Sequence, residues 1–209
     1  MNFTLCSMQI SGNYYLWIMK SLEALDRKLK PGQVYRRKDL LGLSSAVDRD
    51  LAQLVGAGKL RKVASGLYHK PEASVFGQVP ADEQTMVKAF LEDDRFLVVS
   101  PNAYNSLGLG TTQLYNSRRV YNQKRHGQFK LGNHSFNFVQ KPNVPKTLSK
   151  EFLLVELVNN LKNLEEDRSA VLDRIPNKLA EMDRRKLSQL VKDFGTVATK
   201  KFFSPLLRR

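Results

Sequence analysis

Cysteine is almost absent from the chain, and long apolar runs are missing. Cys6 stands alone among 209 residues, which excludes an internal disulfide and a cysteine-rich zinc site. No segment approaches the ~20 apolar residues that a membrane helix needs, and the N-terminal residues lack the basic start, apolar centre and cleavage site of a signal peptide. We therefore expect a cytoplasmic protein that does not enter a membrane.

Motifs typical of enzymes are also missing. The three histidines, His69, His126 and His134, form neither an HExxH nor an HxxxH pair. The acidic runs at 92–94 and 165–167 occupy consecutive positions, and consecutive positions of a helix do not converge on a metal. The glycine-rich segment 107–112 lacks the lysine that a phosphate-binding loop requires. The sequence predicts no catalytic residue, no metal and no cofactor.

Acidic residues are scarce relative to basic ones. Asp and Glu number 20 against 34 Lys and Arg, which gives a net charge of +14 and a pI near 9.9. The excess is +6 over residues 1–75, +4 over 76–148 and +4 over 149–209, by counting charges in the sequence. Such a positive field attracts polyanions, of which nucleic acid is the commonest.

Hydrophobic periodicity predicts an α+β protein whose first 75 residues form a winged helix-turn-helix. Helices are predicted at 13–29, 36–41 and from Ser44 to Gly56, with an extended piece at 33–35 and a hairpin of strands 60–63 and 67–69. Ser44 is predicted as the N-cap of the third helix. This order of helix, strand, helix, helix and hairpin is that of the winged motif.

Two further segments are predicted after the first. Residues 71–80 are predicted as a connector, and residues 76–148 form a mixed α/β domain. Its elements are predicted at 82–91 and 103–109 for helices, and at 96–99, 118–122, 128–131 and 135–140 for strands. After a second connector at 141–145, residues 149–209 are predicted to be helical.

A DNA-binding surface is predicted on the third helix, the hairpin and the start of the second helix. The stripe of Val47, Leu51, Leu54 and Val55 is predicted to face inward. Ser45, Arg49, Ala52 and Gln53 then face outward, and Arg and Gln side chains can bond base edges in a major groove. Basic residues near the hairpin and at the second helix are suited to phosphate contacts. The predicted residues are Arg36, Arg37, Lys38, Ser44, Ser45, Arg49, Gln53, Lys59, Arg61, Lys62 and Ser65.

A second basic region lies among Tyr115, Tyr121 and four cations. Arg118, Arg119, Lys124 and Arg125 are interleaved with these aromatic residues, as in surfaces that bind single-stranded nucleic acid or a phosphate-rich partner. The alternative is a basic strand edge that prevents aggregation.

Two segments resemble a known family. Segment 60–71, Leu-Arg-Lys-Val-Ala-Ser-Gly-Leu-Tyr-His-Lys-Pro, resembles the wing of AbiEi-type antitoxins, and segment 100–113, ending Leu-Gly-Leu-Gly-Thr-Thr-Gln, is similar to that family's short helix and its glycine-rich end. The resemblance spans roughly residues 14–140 and leaves out the helical end. It implies a winged-helix repressor that is also the antitoxin of a type IV toxin–antitoxin pair, with a nucleotidyltransferase toxin as partner.

The leading hypothesis is therefore a repressor that binds an inverted repeat in its own promoter and acts as an antitoxin. The alternatives are a DNA- or RNA-binding accessory protein of a mobile element without a toxin, and an enzyme acting on nucleic acid. A neighbouring nucleotidyltransferase gene would separate the first two, and the enzyme would need carboxylates that converge on a metal. Charge alone does not separate DNA from RNA.

Overall fold

The computed structural model describes residues 21–145 and 147–208. The chain divides into two compact units, of which the first ends at Glu92 and the second begins at Asp93. The predicted arm at 1–12 and the predicted helical residues 13–20 lie outside the described residues. The architecture is mixed α+β with a helical C-terminal segment, which confirms that part of the predicted fold class.

The first unit contains short helices, a three-stranded sheet and a separate hairpin. Helix α1 covers residues 21–28 of the described chain. It is followed by β1 Val34–Arg36, a one-turn 3-10 helix Arg37–Leu40, α2 Val47–Gly56, β2 Arg61–Ala64, β3 Leu67–His69, β4 Glu72–Ser74, β5 Gly77–Val79 and α3 Glu83–Leu91. The antiparallel sheet has the order β1-β3-β2, and β4 pairs only with β5 within the described residues.

The core of the first unit is formed by leucines of α1 and α2 and of the segments between the elements. Leu25, Leu51 and Leu54 are buried at helical spacing, so that α1 and α2 each turn one apolar face inward. Leu40 and Leu60 close the same cluster, with Tyr35 and Tyr68 of the sheet packed against it. This packing sets the direction in which the opposite face of α2 points.

Three predictions for the first unit were wrong. The second helix is a single 3-10 turn, because few residues separate β1 from Gly42 and a longer helix cannot be completed. The third helix begins at Val47 rather than Ser44, whose hydroxyl is bonded to Asp50 instead of capping the helix. Residues 71–80 form the β4–β5 hairpin, because Gly77 at φ 104° permits a tight turn and the flanking prolines lie outside the strands.

The second unit contains a four-stranded sheet followed by helices. Its strands are β6 Phe96–Val99, β7 Ser117–Asn122, β8 Gly127–Leu131 and β9 His134–Gln140, and its helices are α4 Lys150–Asn160, α5 Arg168–Lys178, α6 Arg184–Phe194 and α7 Val197–Leu207. The sheet order is β6-β7-β9-β8, with β7 and β9 parallel. The helix predicted at 103–109 is a 3-10 helix, Pro101–Leu107. The four strands predicted in this region are confirmed.

The sheet and the C-terminal helices of the second unit share one core. Tyr121 of β7 packs edge-on against Phe152 of α4 and Phe194 of α6, with ring centroids 5.5 and 6.0 Å apart. Because α4 is apolar on nearly all sides, it is buried at the centre of this core. The structure therefore does not follow the predicted boundaries after residues 75 and 148: α3 belongs to the first unit, and residues 93–148 fold together with the helical segment.

Candidate nucleic-acid interface

Helix α2 presents a short polar face opposite its buried stripe. Ala52 and Gln53 are exposed, as is Ser45 in the turn before the helix, which is the orientation predicted for them. Arg49 is only partly exposed, and Asp48 is exposed beside it. The face can offer the amide of Gln53 to a base edge, and small neighbouring side chains permit a close approach.

Asp50 fixes the turn that precedes α2. Its carboxylate is fully buried and accepts hydrogen bonds from Ser44 Oγ at 2.6 Å, Ser21 Oγ at 3.0 Å and Arg49 Nη2 at 3.0 Å. Burial alone raises the pKa of Asp50, but the hydrogen bonds from Ser44, Arg49 and Ser21 outweigh it and hold that pKa below its ordinary value. Ser44 and Arg49, both predicted as DNA-binding, are therefore engaged with this internal carboxylate.

The turn between β2 and β3, the 3-10 helix Arg37–Leu40 and the first turn of α2 meet at one edge of the first unit. The backbone N–H of Arg37 donates to the carbonyl of Gly66 at 2.8 Å. The guanidinium of Arg37 donates to both carboxylate oxygens of Asp48 at 2.5 Å. These bonds raise the pKa of Arg37 and lower that of Asp48. Ser65, in the hairpin turn beside Gly66, is exposed. A shallow groove of about 330 Å³ lies at this edge, lined by Arg37, Leu41 and residues 44–49.

Most of the other predicted cations are paired with carboxylates. Arg36 contacts Asp39 at 2.6 Å and Glu92 at 2.9 Å, and Lys38 contacts Glu92 at 2.5 Å. Ion pairs of this exposed kind stabilise a protein little, so their cations can turn to a phosphate at small cost. The sequence did not reveal the two pairs to Glu92, because Glu92 is far from residues 36–38 along the chain.

The predicted cations on and just before the β2–β3 hairpin differ in their contacts. Lys59 is paired with Asp26 at 2.7 Å, and Arg61 Nε donates to Gln78 Oε1 at 2.9 Å. Lys62 is exposed on β2, and its side chain makes no hydrogen bond or ion pair with the rest of the described chain. Among the predicted phosphate contacts, Lys62 is therefore the side chain that can bind a phosphate without first giving up a partner within the described chain.

The structure does not bring the second basic region together on one surface. Arg118 and Arg119 are neighbours on β7, so their side chains point to opposite faces of the sheet. Arg118 donates to the carbonyls of Tyr115 and Ser117, each at 3.2 Å, whereas Lys124 lies 3.6 Å from Asp93. Arg125 is exposed in the turn after β7.

Arg119 instead belongs to a buried polar cluster. Its guanidinium lies 3.8 Å from Oε2 of Glu156, a residue of α4 with no exposed surface. Tyr121 Oη also donates to this carboxylate, and Asn159 and Asn160 donate to it at 3.2 and 3.3 Å. Burial, and after it the charge of Glu156, raises the pKa of Tyr121. The cluster is enclosed by the core, so we assign it a structural role.

The glycine-rich segment after the 3-10 helix is also structural. Leu107 and Leu109 are buried. Arg174 of α5 donates to the carbonyl of Leu109 at 3.2 Å and lies against Gly110, where a Cβ atom would be 1.9 Å from Nη1. Gly110 also has a φ of 86°, which a residue with a Cβ atom rarely adopts, so this turn favours glycine.

Neither a metal site nor a membrane helix is found in the described chain. Within residues 21–145 and 147–208, no three His, Cys, Asp or Glu side chains are grouped so that they could hold a metal. In the same residues, no helix combines the length and apolar character needed to cross a membrane.

Comparison with known proteins gives a likeness of fold. The chain matches no known family profile and no curated protein. It is similar in structure to the crystal structure of the RV2827C protein from Mycobacterium tuberculosis, with a TM-score of 0.58 and 14% identity. The match covers 92% of this chain and 76% of that one. At this identity the likeness concerns the fold alone.

Proposed function

We propose that the first unit is a winged helix-turn-helix that binds double-stranded DNA, and that the chain is a transcriptional repressor which acts by binding and not by catalysis. The observation that carries this proposal is the edge where Gly66, Arg37 and the first turn of α2 meet. A winged motif contacts DNA with these same three parts: the hairpin, the start of the second helix and the recognition helix.

The exposed groups of α2, the 3-10 helix and the β2–β3 hairpin are proposed to have two roles. Gln53 of α2 is proposed to read bases, because its amide can bond adenine at two positions. Lys62 of β2 and Arg37 are proposed to hold phosphates, which position the protein without reading sequence. Arg49 reads a base only if its guanidinium leaves Asp50, so its role depends on an exchange of partners.

The antitoxin role is proposed on the resemblance of segments 60–71 and 100–113 to AbiEi-type antitoxins. Under this proposal the chain represses its own promoter at an inverted repeat and neutralises a nucleotidyltransferase toxin. A groove of about 340 Å³ between α4, α5 and α7 offers an apolar surface for such a partner, with Leu161, Leu172 and Phe202 in its lining and Lys162 and Arg168 among its cations. The alternative remains a DNA- or RNA-binding accessory protein without a toxin.

The DNA proposal is tested by fluorescence anisotropy with three labelled probes of equal length: the duplex upstream of the gene, a shuffled duplex and an RNA. We expect tightest binding to the upstream duplex. Lys62→Ala should weaken binding to every duplex and reduce the salt slope by about 0.9, whereas Gln53→Ala should weaken the upstream duplex more than the shuffled one. Lys201→Ala, which removes an exposed cation of α7, is the matched control.

Three outcomes would contradict the proposal or part of it. Equal weak binding of all three probes would mean that the charge is generic. An equal loss of affinity in Lys62→Ala and Lys201→Ala would show that β2 is not part of the interface. Tighter binding to the RNA would favour the RNA-binding alternative.

A further inference from the structure

The groove of about 340 Å³ between α4, α5 and α7 has an apolar lining and one open side. All three helices contribute apolar side chains to it: Val158, Leu161, Leu172, Val197 and Phe202. Leu161 is buried and Phe202 is packed in part against the core of the second unit, whereas Val197 is 87% exposed. An apolar concave surface with a few polar groups at its edge is typical of a binding site for a small molecule.

Hydrogen bonds between α4 and the start of α7 fix the shape of the groove. Asn159 Nδ2 donates to the carbonyl of Phe194 at 3.1 Å, and the N–H of Thr196 donates to Asn159 Oδ1 at 2.9 Å. Thr196 Oγ1 accepts from the N–H of Thr199 at 3.2 Å and caps α7. Because these bonds hold the helices in place without a ligand, binding costs little conformational entropy.

Two cations lie in the lining, and none of the described carboxylates does. Lys162 and Arg168 are exposed, and neither side chain makes a hydrogen bond or ion pair with the rest of the described chain. Arg168 is the first residue of α5, where the helix dipole disfavours a cation, so the stability of α5 does not account for it. Both cations can therefore bind an anion without giving up another partner within the described residues.

The carboxylates just before Arg168 are engaged with backbone groups. Glu166 Oε1 accepts from the N–H groups of residues 112 and 113, each at 3.2 Å. Asp167 Oδ1 accepts from the N–H of Ala170 at 3.1 Å and caps α5. The groove therefore keeps a positive charge, which is complementary to an anionic group on its ligand.

The size of the groove favours a small molecule over a segment of another protein. Pockets for small molecules have volumes of about 300–1,000 Å³, and this groove lies at the lower end of that range. A standard protein interface involves about 20–30 residues on each side, far more than line the groove. Size and charge together indicate a compact ligand that has an apolar body and one anionic group.

We infer that this groove binds a small carboxylate with an aliphatic or aromatic body, whose carboxylate is held by Lys162 and Arg168. The apolar body lies on Leu161, Leu172 and Phe202. A guanidinium can bind a carboxylate through two parallel hydrogen bonds, whereas a lysine supplies a point charge. The inference does not rest on DNA binding or on the antitoxin role, because the groove lies within the second unit and its ligand needs neither DNA nor a toxin. Since the antitoxin proposal offers the same groove to a toxin, a bound carboxylate would compete with that partner.

Isothermal titration calorimetry of the full chain with octanoate tests the inference, and 1-octanol serves as the uncharged ligand of equal length. We expect one octanoate per chain with a Kd of about 1 mM or lower, and a Kd for 1-octanol that is about fivefold higher. Lys162→Gln/Arg168→Gln should bind octanoate about fivefold more weakly and 1-octanol as the wild type does. Arg185→Gln/Lys192→Gln removes two exposed cations of α6 outside the lining and is the matched control.

A variant that fills the groove locates the ligand. Ala198 lies in the lining and is exposed in the first turn of α7, so Ala198→Trp should abolish octanoate binding and leave the core intact. Ala180→Trp, at an exposed position outside the lining, should bind octanoate like the wild type. The absence of octanoate binding at about 10 mM, equal affinities for octanoate and 1-octanol, an equal loss in the two double variants, or normal binding in Ala198→Trp would each overturn the inference.

Discussion

Asp48 shields the cation that lies at the centre of the proposed DNA-binding edge. Both of its oxygens accept hydrogen bonds from Arg37 at 2.5 Å, and 67% of its side chain is exposed. Next to a phosphate, this carboxylate acts in two ways: it repels the phosphate and it occupies the guanidinium. Asp48→Asn removes the negative charge and releases Arg37, so we expect it to tighten duplex binding.

The size of the effect follows from the salt dependence of one phosphate contact. Each neutralised phosphate adds about 0.9 to the slope of log affinity against log salt. If released Arg37 gains one phosphate, the affinity gain of Asp48→Asn should be about 3.5-fold larger at about 50 mM than at about 200 mM salt. The pKa of Asp48 is lowered by Arg37, so this carboxylate is charged in the wild type at neutral pH.

Anisotropy titrations of both proteins at these salt concentrations measure the gain and its slope. Asp94→Asn is the matched control, since it removes an exposed carboxylate of the second unit and raises the net charge equally. An affinity gain of the same size in both variants would mean that the gain comes from the net charge and not from the release of Arg37. An unchanged or weaker affinity in Asp48→Asn would refute the placement of this edge on the phosphates.

Two further predictions concern stability. Burial, with a smaller effect from Arg61, lowers the pKa of His69 from 6.5, so the unfolded chain binds a proton more readily than the folded one and the free energy of unfolding should fall as pH drops below about 6.5. Urea unfolding at several pH values should show this pH dependence in the wild type and in the control His126→Gln, and a smaller one in His69→Phe. An equal pH dependence in all three proteins would contradict the assignment to His69. Glu156→Ala should lower the free energy of unfolding by about 1–3 kcal/mol, because it leaves the buried hydroxyl of Tyr121 without its acceptor. Glu156→Gln, which keeps an acceptor oxygen at the same place, should lose less in the same urea assay, and an equal loss in both variants would show that the lost acceptor is not the cause.

Elements with a strong local pattern could be predicted from the sequence. The strand Phe96–Val99 and the strands of the second unit are apolar or alternating runs between turn residues, and the structure confirms them. The outward direction of Gln53 and Ala52 followed from the helical spacing of Val47, Leu51 and Leu54. In each case the information lies within about ten residues of the chain.

Features that depend on distant residues could not be predicted. Asp50 lies on the buried stripe of α2, yet nothing local indicates that Ser21 and Ser44 satisfy it. The prolines at 71 and 80 suggested a connector. The sequence alone did not show that Gly77 permits the tight turn by which β4 pairs with β5. The shared core of sheet and helices is likewise a long-range property, in which Tyr121 meets side chains more than 30 residues away.

The ion pairs change how the basic character of the chain is interpreted. A net charge of +14 predicts a polyanion partner, but in the first unit Arg36, Arg37, Lys38 and Lys59 are all held by carboxylates. Binding to phosphates then exchanges one anion for another, and the net gain at each cation is smaller than its charge suggests. Under the DNA-binding proposal, discrimination between sequences would therefore rest mainly on neutral groups such as Gln53, whose amide can bond a base edge without giving up an ion pair.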